Sequence, residues 1–217
     1  MPVFKSGEGL APAWCELEYF DIVRLAPGQT HTYQRVGIKE KLLVGKGRCT
    51  LDVSGQAVDA AEGANLDLPH GDGRFEVTEV AEPVTLIRMC GRWGEEVGGS
   101  GIFSGAAVAE YDPSRDRGDP PLGPKNTHFD NHFHDCDEYW IIFEGPDPTG
   151  EVTTEQKRFT VGLGDCIATG MGHHHDFPVA YGPYRAVYFE TTMEGRKRRG
   201  HLWEHKHRQA EPMPERV

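Results

Sequence analysis

No apolar run in this chain approaches the roughly 18 residues that a membrane-spanning helix needs, and hydrophobic residues make up only 37% of its 217 positions. No membrane partner is expected. The opening MPVFKSGEGLAPAW lacks the basic start and apolar stretch of a secretory signal. Cysteine is scarce: Cys15, Cys49, Cys90, Cys136 and Cys166 are scattered, odd in number and never spaced C-x-x-C. That argues against a disulfide framework and for reduced, mostly buried thiols in a cytoplasmic protein. Positive charge is short as well. The 23 Lys and Arg face 34 Asp and Glu, a formal net charge of −11. This balance argues against a nucleic-acid partner, and no helix-turn-helix segment is evident. Acidity favours solubility; it does not identify a substrate.

What the chain has in quantity is turn formers, 27 glycines and 15 prolines. Between them run short β-branched and aromatic segments: YFDIVRL from Tyr19, HTYQRVGIKEKLLVGKGRCTLDV after a turn at Pro27 to Gln29, and PVTLIRMCG ending at Gly91. Turn signals every 8–12 residues or so predict an all-β sandwich or barrel. The length allows one large domain or two small ones, with a buried core in either case. Residues 1–20 read as a leader arm. Arg92 to Pro124 reads as a linker with one short strand or helix near Ile102 to Tyr111, and its DRGDPPLGP run should hold no regular structure. The second half begins at Lys125 and closes with a strand from Gly182 to Met193. In the tail, Arg196 to Arg199 form a basic run suited to a solvated segment, or to a partner subunit or phosphate. Trp203 should anchor the tail by burying its ring. His201, His205 and His207 offer only a poor second metal set, because Glu204 is their one nearby carboxylate.

The centre of the sequence is the stretch from His128 to His175, which holds six of the eleven histidines. It reads HFDNHFHDCDEYWIIFEG and, after eighteen residues, GDCIATGMGHHHDFP. On a strand, residues two apart point the same way. His132 and His134 then present adjacent imidazoles, both able to reach one cation at about 2.0–2.1 Å. Glu138 adds an anionic oxygen, and His175 can add a third imidazole from a neighbouring strand. Glu138, Trp140 and Ile142 share the next inward face. His128 has the parity of His132 and His134 and is the candidate catalytic base. His173, His174, Tyr184, Tyr188 and Glu190 are weaker candidates, each equally suited to packing or support. His174 and Asp176 flank His175 and should point away from the ion if that segment is extended. Cys136 and Cys166 lie within the two halves of the stretch, where burial suits them better than a ligand or redox role.

At these residues the sequence resembles the cupin superfamily. His132-x-His134-x3-Glu138-x6-Gly145 is similar to the first cupin motif, and Gly164-x5-Gly170-x-Gly172-x2-His175 to the second. Gly170 stands where the family has proline, and Val179 where it has asparagine; both departures concern turns and packing. The first half repeats the framework: Gly28-x5-Gln34-x-Val36-x3-Glu40-x6-Gly47, then Gly63-x5-Pro69-x-Gly71-x2-Arg74. Gln34, Val36 and Arg74 fill its histidine positions, and neither valine nor a guanidinium can ligate. The resemblance implies two tandem cupin barrels of the double-stranded β-helix or jelly-roll type. The first (1–105) lacks the metal histidines, the second (106–200) binds one divalent ion, and 201–217 is a tail. Glu40 and Arg74 align with Glu138 and His175, so a Glu40–Arg74 ion pair is expected in place of the missing cation.

A three-His, one-Glu set suits Fe, Mn, Ni, Co or Zn. As a Lewis acid on a sugar or hydroxy-acid carbonyl, such an ion supports an isomerase, epimerase or lyase. As Fe(II) it supports a dioxygenase, with Phe133, Tyr139 and Trp140 lining an apolar cavity. A non-catalytic small-molecule-binding cupin is the third reading. Asn126, His128, Asp130 and Asp176 tilt the choice toward a carbohydrate-like substrate. A homodimer is the default oligomer.

Overall fold

The computed structural model describes residues 3–10, 12–34, 38–68, 74–105, 133–154 and 157–193, and the backbone course of 201–204 and 210–212. Among these residues every regular element is a strand. The first half contains β1 (Val3–Lys5), β2 (Leu17–Leu25), β3 (His31–Tyr33), β4 (Lys39–Lys46), β5 (Arg48–Val53), β6 (Gln56–Ala61), β7 (Asn65–Leu68), β8 (Phe75–Val80), β9 (Val84–Gly91) and β10 (Glu95–Gly105). The second contains β11 (Phe133–His134), β12 (Asp137–Glu144), β13 (Gly150–Thr154), β14 (Lys157–Val161), β15 (Asp165–Thr169), β16 (His175–Ala180) and β17 (Tyr184–Thr192), followed by β18 (His201–Glu204) and β19 (Ala210–Pro212).

Two sheets, β2-β9-β4-β7 and β3-β8-β5-β6, close the first barrel. Two more, β1-β15-β12-β17-β10 and β14-β13-β16, close the second. The fold is all-β, two tandem cupin barrels. Two strands within residues 1–105, β1 and β10, hydrogen-bond into the second half's sheet. The leader arm therefore contributes a strand, and so does the segment read as a linker. Glycines explain the second case. A register shift between Glu96 and Ser100 absorbs the Gly-rich stretch, and a Cβ on Gly101 would lie 2.9 Å from the Tyr188 ring.

The repeat expected from sequence extends to local geometry. The β4–β9 ladder shifts register between Val44 and Lys46, and β12–β17 does so between Ile142 and Glu144, the matching place in the second half. Gly47 and Gly145 follow, both at positive φ (78° and 145°). A Cβ would strike Pro83 O at 2.2 Å from Gly47 and Tyr184 Cβ at 2.7 Å from Gly145. Only glycine tolerates both demands.

Strand alternation sorts the apolar side chains into three cores. Leu42, Val44 and Leu86 face the first barrel's interior with Tyr33, Leu51 and Phe75. Ile142 and Ala186 face the second interior with Phe177 and Tyr184. The opposite faces of the same strands, Leu43, Ile87 and Met89 against Tyr139, Ile141, Phe143, Val187 and Phe189, pack the two barrels together. Gly45 permits that approach, since a Cβ there would meet Ile87 Cδ1 at 2.5 Å and Phe143 Cε2 at 3.0 Å. All five cysteines are buried and free. No helix of the described residues is long and apolar enough to cross a membrane.

The Glu40–Arg74 pair does not form. Arg74 is exposed, its guanidinium 3.4 Å from Glu76, while Glu40 binds Arg88 from β9 at 2.7 Å. Strand parity is the reason. Phe75 and Val77 point into the core, so Arg74 and Glu76 point out. Motif spacing matched Arg74 to His175, but the strand runs one residue out of phase, and such a slip reverses every side chain.

Candidate metal centre

Two short segments bring the site together. Phe133 and His134 form β11, and Glu138 is the second residue of β12. His175 opens β16 after the loop 170–174. That loop is tied to the first motif: the Gly172 amide donates to His134 O at 2.8 Å, and the Met171 amide to Asp137 Oδ1 at 3.2 Å. Gly172 has φ 80°, in the left-handed region that favours glycine. The replacement of the family's proline by Gly170 has a local cause. A Cβ at Gly170 would sit 3.2 Å from the Trp14 ring, which reaches across from the N-terminal segment.

Of the four expected ligands, His134, Glu138 and His175 converge, with donor atoms all within 4.8 Å of one another. His132 and the candidate base His128 lie outside the described residues, as do Asn126, Asp130, Val36, the DRGDPPLGP run and Arg196 to Arg199. Glu138 Oε2 is 2.7 Å from His175 Nε2 and 3.1 Å from His134 Nδ1. Its other oxygen, Oε1, accepts from Trp140 Nε1–H, as their shared parity allows. His175 Nδ1 lies 3.0 Å from His173 O. A carbonyl only accepts, so Nδ1 carries the hydrogen and Nε2 is left with its lone pair. That lone pair faces a carboxylate oxygen, and the contact is attractive only with a proton or a metal ion between them. An outer partner that fixes the imidazole tautomer is a usual companion of a metal-binding histidine.

Electrostatics point the same way. Burial alone would push the Glu138 carboxyl up, but His134 and His175 outweigh it and hold the group well below the usual carboxylate range. Burial pulls His175 down, and Glu138 reverses this, leaving the imidazole above its ordinary value. These residues fit a divalent cation: imidazole nitrogen and carboxylate oxygen donors, buried together, with Glu138 Oε1 held by Trp140 and His175 Nδ1 by His173.

The remaining candidates fall elsewhere, with one exception. His173 packs edge-on against Trp14, with ring centroids 5.9 Å apart, and His174 packs against Phe133 at 4.8 Å. Tyr184 stacks on Phe177 inside the second core, its hydroxyl pushed far up by burial. Tyr188 faces Gly101. Tyr139 belongs to the core between barrels, where its hydroxyl accepts from the Glu16 and Leu17 amides. Cys136 and Cys166 are buried, and burial holds the Cys166 thiol well above its ordinary value. The exception is Glu190, whose Oε1 is 3.8 Å from His134 Nδ1. Sequence reasoning ranked it low; aligning the closing strands of the two halves would have set it opposite Glu138. In the tail, β18 pairs with β11, and His201 stands opposite His134 in that register.

The chain thus has the fold of two cupin barrels, with a compact His/Glu cluster in its second barrel. It belongs to the same family as the uncharacterized protein y4oW of Sinorhizobium fredii, with 43% identity over 217 residues, 100% of this chain and 97% of that protein. No family model matches it. Among solved structures it is similar to an IolB-like protein of Salmonella typhimurium (13% identity, TM-score 0.59, 90% of this chain and 94% of that one). Vicilin of hazelnut, Corylus avellana (7%, TM-score 0.55, 82% and 76%), and AerE of Microcystis aeruginosa (10%, TM-score 0.54, 79% and 86%) share the fold.

Proposed function

We propose that this protein is a metal-dependent enzyme acting on a small oxygen-rich molecule, a carbohydrate or a hydroxy or keto acid, as an isomerase, epimerase or lyase. One observation carries the reading: the His175 Nε2 lone pair and Glu138 Oε2 face each other at 2.7 Å with the His175 tautomer held by His173. His134, Glu138 and His175, with His132 as the expected fourth donor, would hold the ion. Bound there, it would act as a Lewis acid on a substrate oxygen. The protein's own part is to fix the donors: Trp140 orients Glu138, and His173 O orients His175. His128 remains the proposed base for moving a proton beside the substrate carbonyl. The outer sheet faces of the two halves pack against each other within one chain, so a homodimer would use another face.

The test begins with protein purified without added metal. Metal analysis and anomalous scattering should place one ion at His134, Glu138 and His175. Incubation with sugars and hydroxy or keto acids in heavy water should then exchange hydrogen at the carbon beside the carbonyl. Oxygen uptake with no such exchange would replace this reading by the dioxygenase. An ion in the first barrel, or none at all, would end both.

A further inference from the structure

The loop 170–174 sets the aim of His175, because the His173 carbonyl lies 3.0 Å from Nδ1 of that ring. One distant segment, residues 12–17 leading into β2, bears on this loop twice. The first contact is Trp14. Its ring meets His173 edge-on with centroids 5.9 Å apart, and a Cβ on Gly170 would lie 3.2 Å from it. Gly170 is where this chain departs from the cupin motif, and the indole lies against it. The second contact runs through Tyr139. Its hydroxyl accepts from the Glu16 and Leu17 amides at 2.7 Å and 3.1 Å and donates to Asp137 Oδ2 at 3.0 Å. Asp137 Oδ1 in turn accepts from the Met171 amide at 3.2 Å. A phenol has one hydrogen to give and two lone pairs to fill, and Tyr139 uses all three. Tyr139 and Asp137 are both buried, where such a chain of hydrogen bonds is strongest. The segment is itself fixed. The Arg92 guanidinium donates to Ala13 O and Cys15 O, and its amide donates to Glu16 O at 2.9 Å.

We propose that Trp14 and Tyr139 are positioning residues of the metal centre: through them the N-terminal segment holds the loop 170–174, and with it the His175 imidazole, in the arrangement that takes the ion. The inference rests on the metal-binding reading above and adds that the second barrel's site depends on a segment of the first half. Trp14 and Tyr139 act on the loop through Gly170, Met171 and His173, and not on the donor atoms of His134, Glu138 or His175. Their effect is preorganisation. A loop already ordered before the ion arrives has no ordering cost to meet at binding, and ligands aimed by a fixed outer shell keep their geometry.

The experiment uses the full chain, stripped of metal by a chelator, as wild type, Trp14→Ala, Trp14→Phe, Tyr139→Phe and Val77→Ala. Val77 is buried in the first barrel's core, so its variant lowers stability without touching the loop. Co(II) affinity is measured by calorimetry and folding by thermal unfolding. Trp14 is 38% exposed, so Trp14→Ala should stay folded. It should bind Co(II) about ten-fold or more weakly, and Tyr139→Phe should weaken binding in the same direction. Trp14→Phe, which keeps a ring against Gly170, should recover most of the loss. Val77→Ala should melt lower yet bind as wild type does. Wild-type affinity in Trp14→Ala overturns the proposal, and this holds even where the buried change Tyr139→Phe prevents folding. An equal loss in Val77→Ala also overturns it, since affinity would then follow stability and not the loop. Failure of the wild type itself to bind Co(II) would sink the metal-binding reading along with this one; a variant result sinks this one alone.

Discussion

Glu40 and Glu138 each occupy the second position of the strand that leads its barrel's main sheet, and each is buried. Around Glu138 stand two imidazoles and a second carboxylate. Around Glu40 stands Arg88, which donates from Nε at 3.1 Å and Nη2 at 2.7 Å, and from Nη2 also to Gln34 O. The Arg88 guanidinium lies 5.1 Å from the Tyr33 ring and 5.4 Å from the Phe75 ring. A buried carboxylate needs a cation, and the two halves of one repeat meet that need differently. The first carries a permanent, covalently attached charge. The second assembles groups whose charge depends on protons and metal. On the function proposed above, this difference is what would let the second barrel, and not the first, hold an ion.

The largest effect should come from breaking the first arrangement. Arg88→Met strands Glu40 in the interior and should cost about 3–5 kcal/mol of unfolding free energy, with the double variant Glu40→Gln/Arg88→Met recovering most of it. Denaturant titration measures both, and a fully stable single variant would remove Arg88 from its role. Next, His175→Ala should weaken metal binding by about 100-fold or more while leaving the far-ultraviolet dichroism of the barrels intact. Gln34→Ala, at the first-half position that corresponds to His132, should leave metal content unchanged. Equal losses from both variants would erase the distinction between the barrels.

A pH series sharpens the contrast. His175 lies above its ordinary value, so its contribution to stability is present below about pH 6.5 and lost as pH rises through the raised folded value. Glu138 lies below its ordinary range, so its contribution is present above about pH 4.3 and lost only as pH falls through the depressed value. The metal-free protein should therefore melt highest in mildly acid buffer and lose stability toward pH 8. The metal-loaded protein should not, because the ion replaces the proton. Parallel melting curves for the two forms would contradict this. The smallest effect belongs to Arg74→Ala. Its exposed ion pair with Glu76 should contribute less than about 0.5 kcal/mol, measured by the same titration.

Much of the architecture could be read along the chain because it depends on short-range rules. Turn glycines recur at matching places in both halves, and Gly47 and Gly145 keep their positive φ. His134 and Glu138 lie within five residues, and their convergence follows from strand parity in one segment. The Glu40 partner was missed for the same kind of reason in reverse. Motif spacing carried across residues 69–73 gave Arg74 the wrong phase, while Arg88 lies 48 residues from Glu40 and belongs to no motif. The nearness of Glu190 to His134 and of Trp140 to Glu138 follows only from cross-strand register and side-chain contact. In the glycine-rich segment after Gly94 a short strand or helix was expected only from about Ile102; the start of β10 at Glu95 stayed hidden, since its pairing with β17 depends on a partner about ninety residues away.

The sequence alone determined the repeat and the all-β class and named candidate ligands, because turn chemistry and i,i+2 alternation act between near neighbours. Tertiary structure alone decided which cation answers each buried carboxylate. That choice depends on the face each strand turns inward and on the register in which distant strands meet, and a shift of one residue reverses the answer.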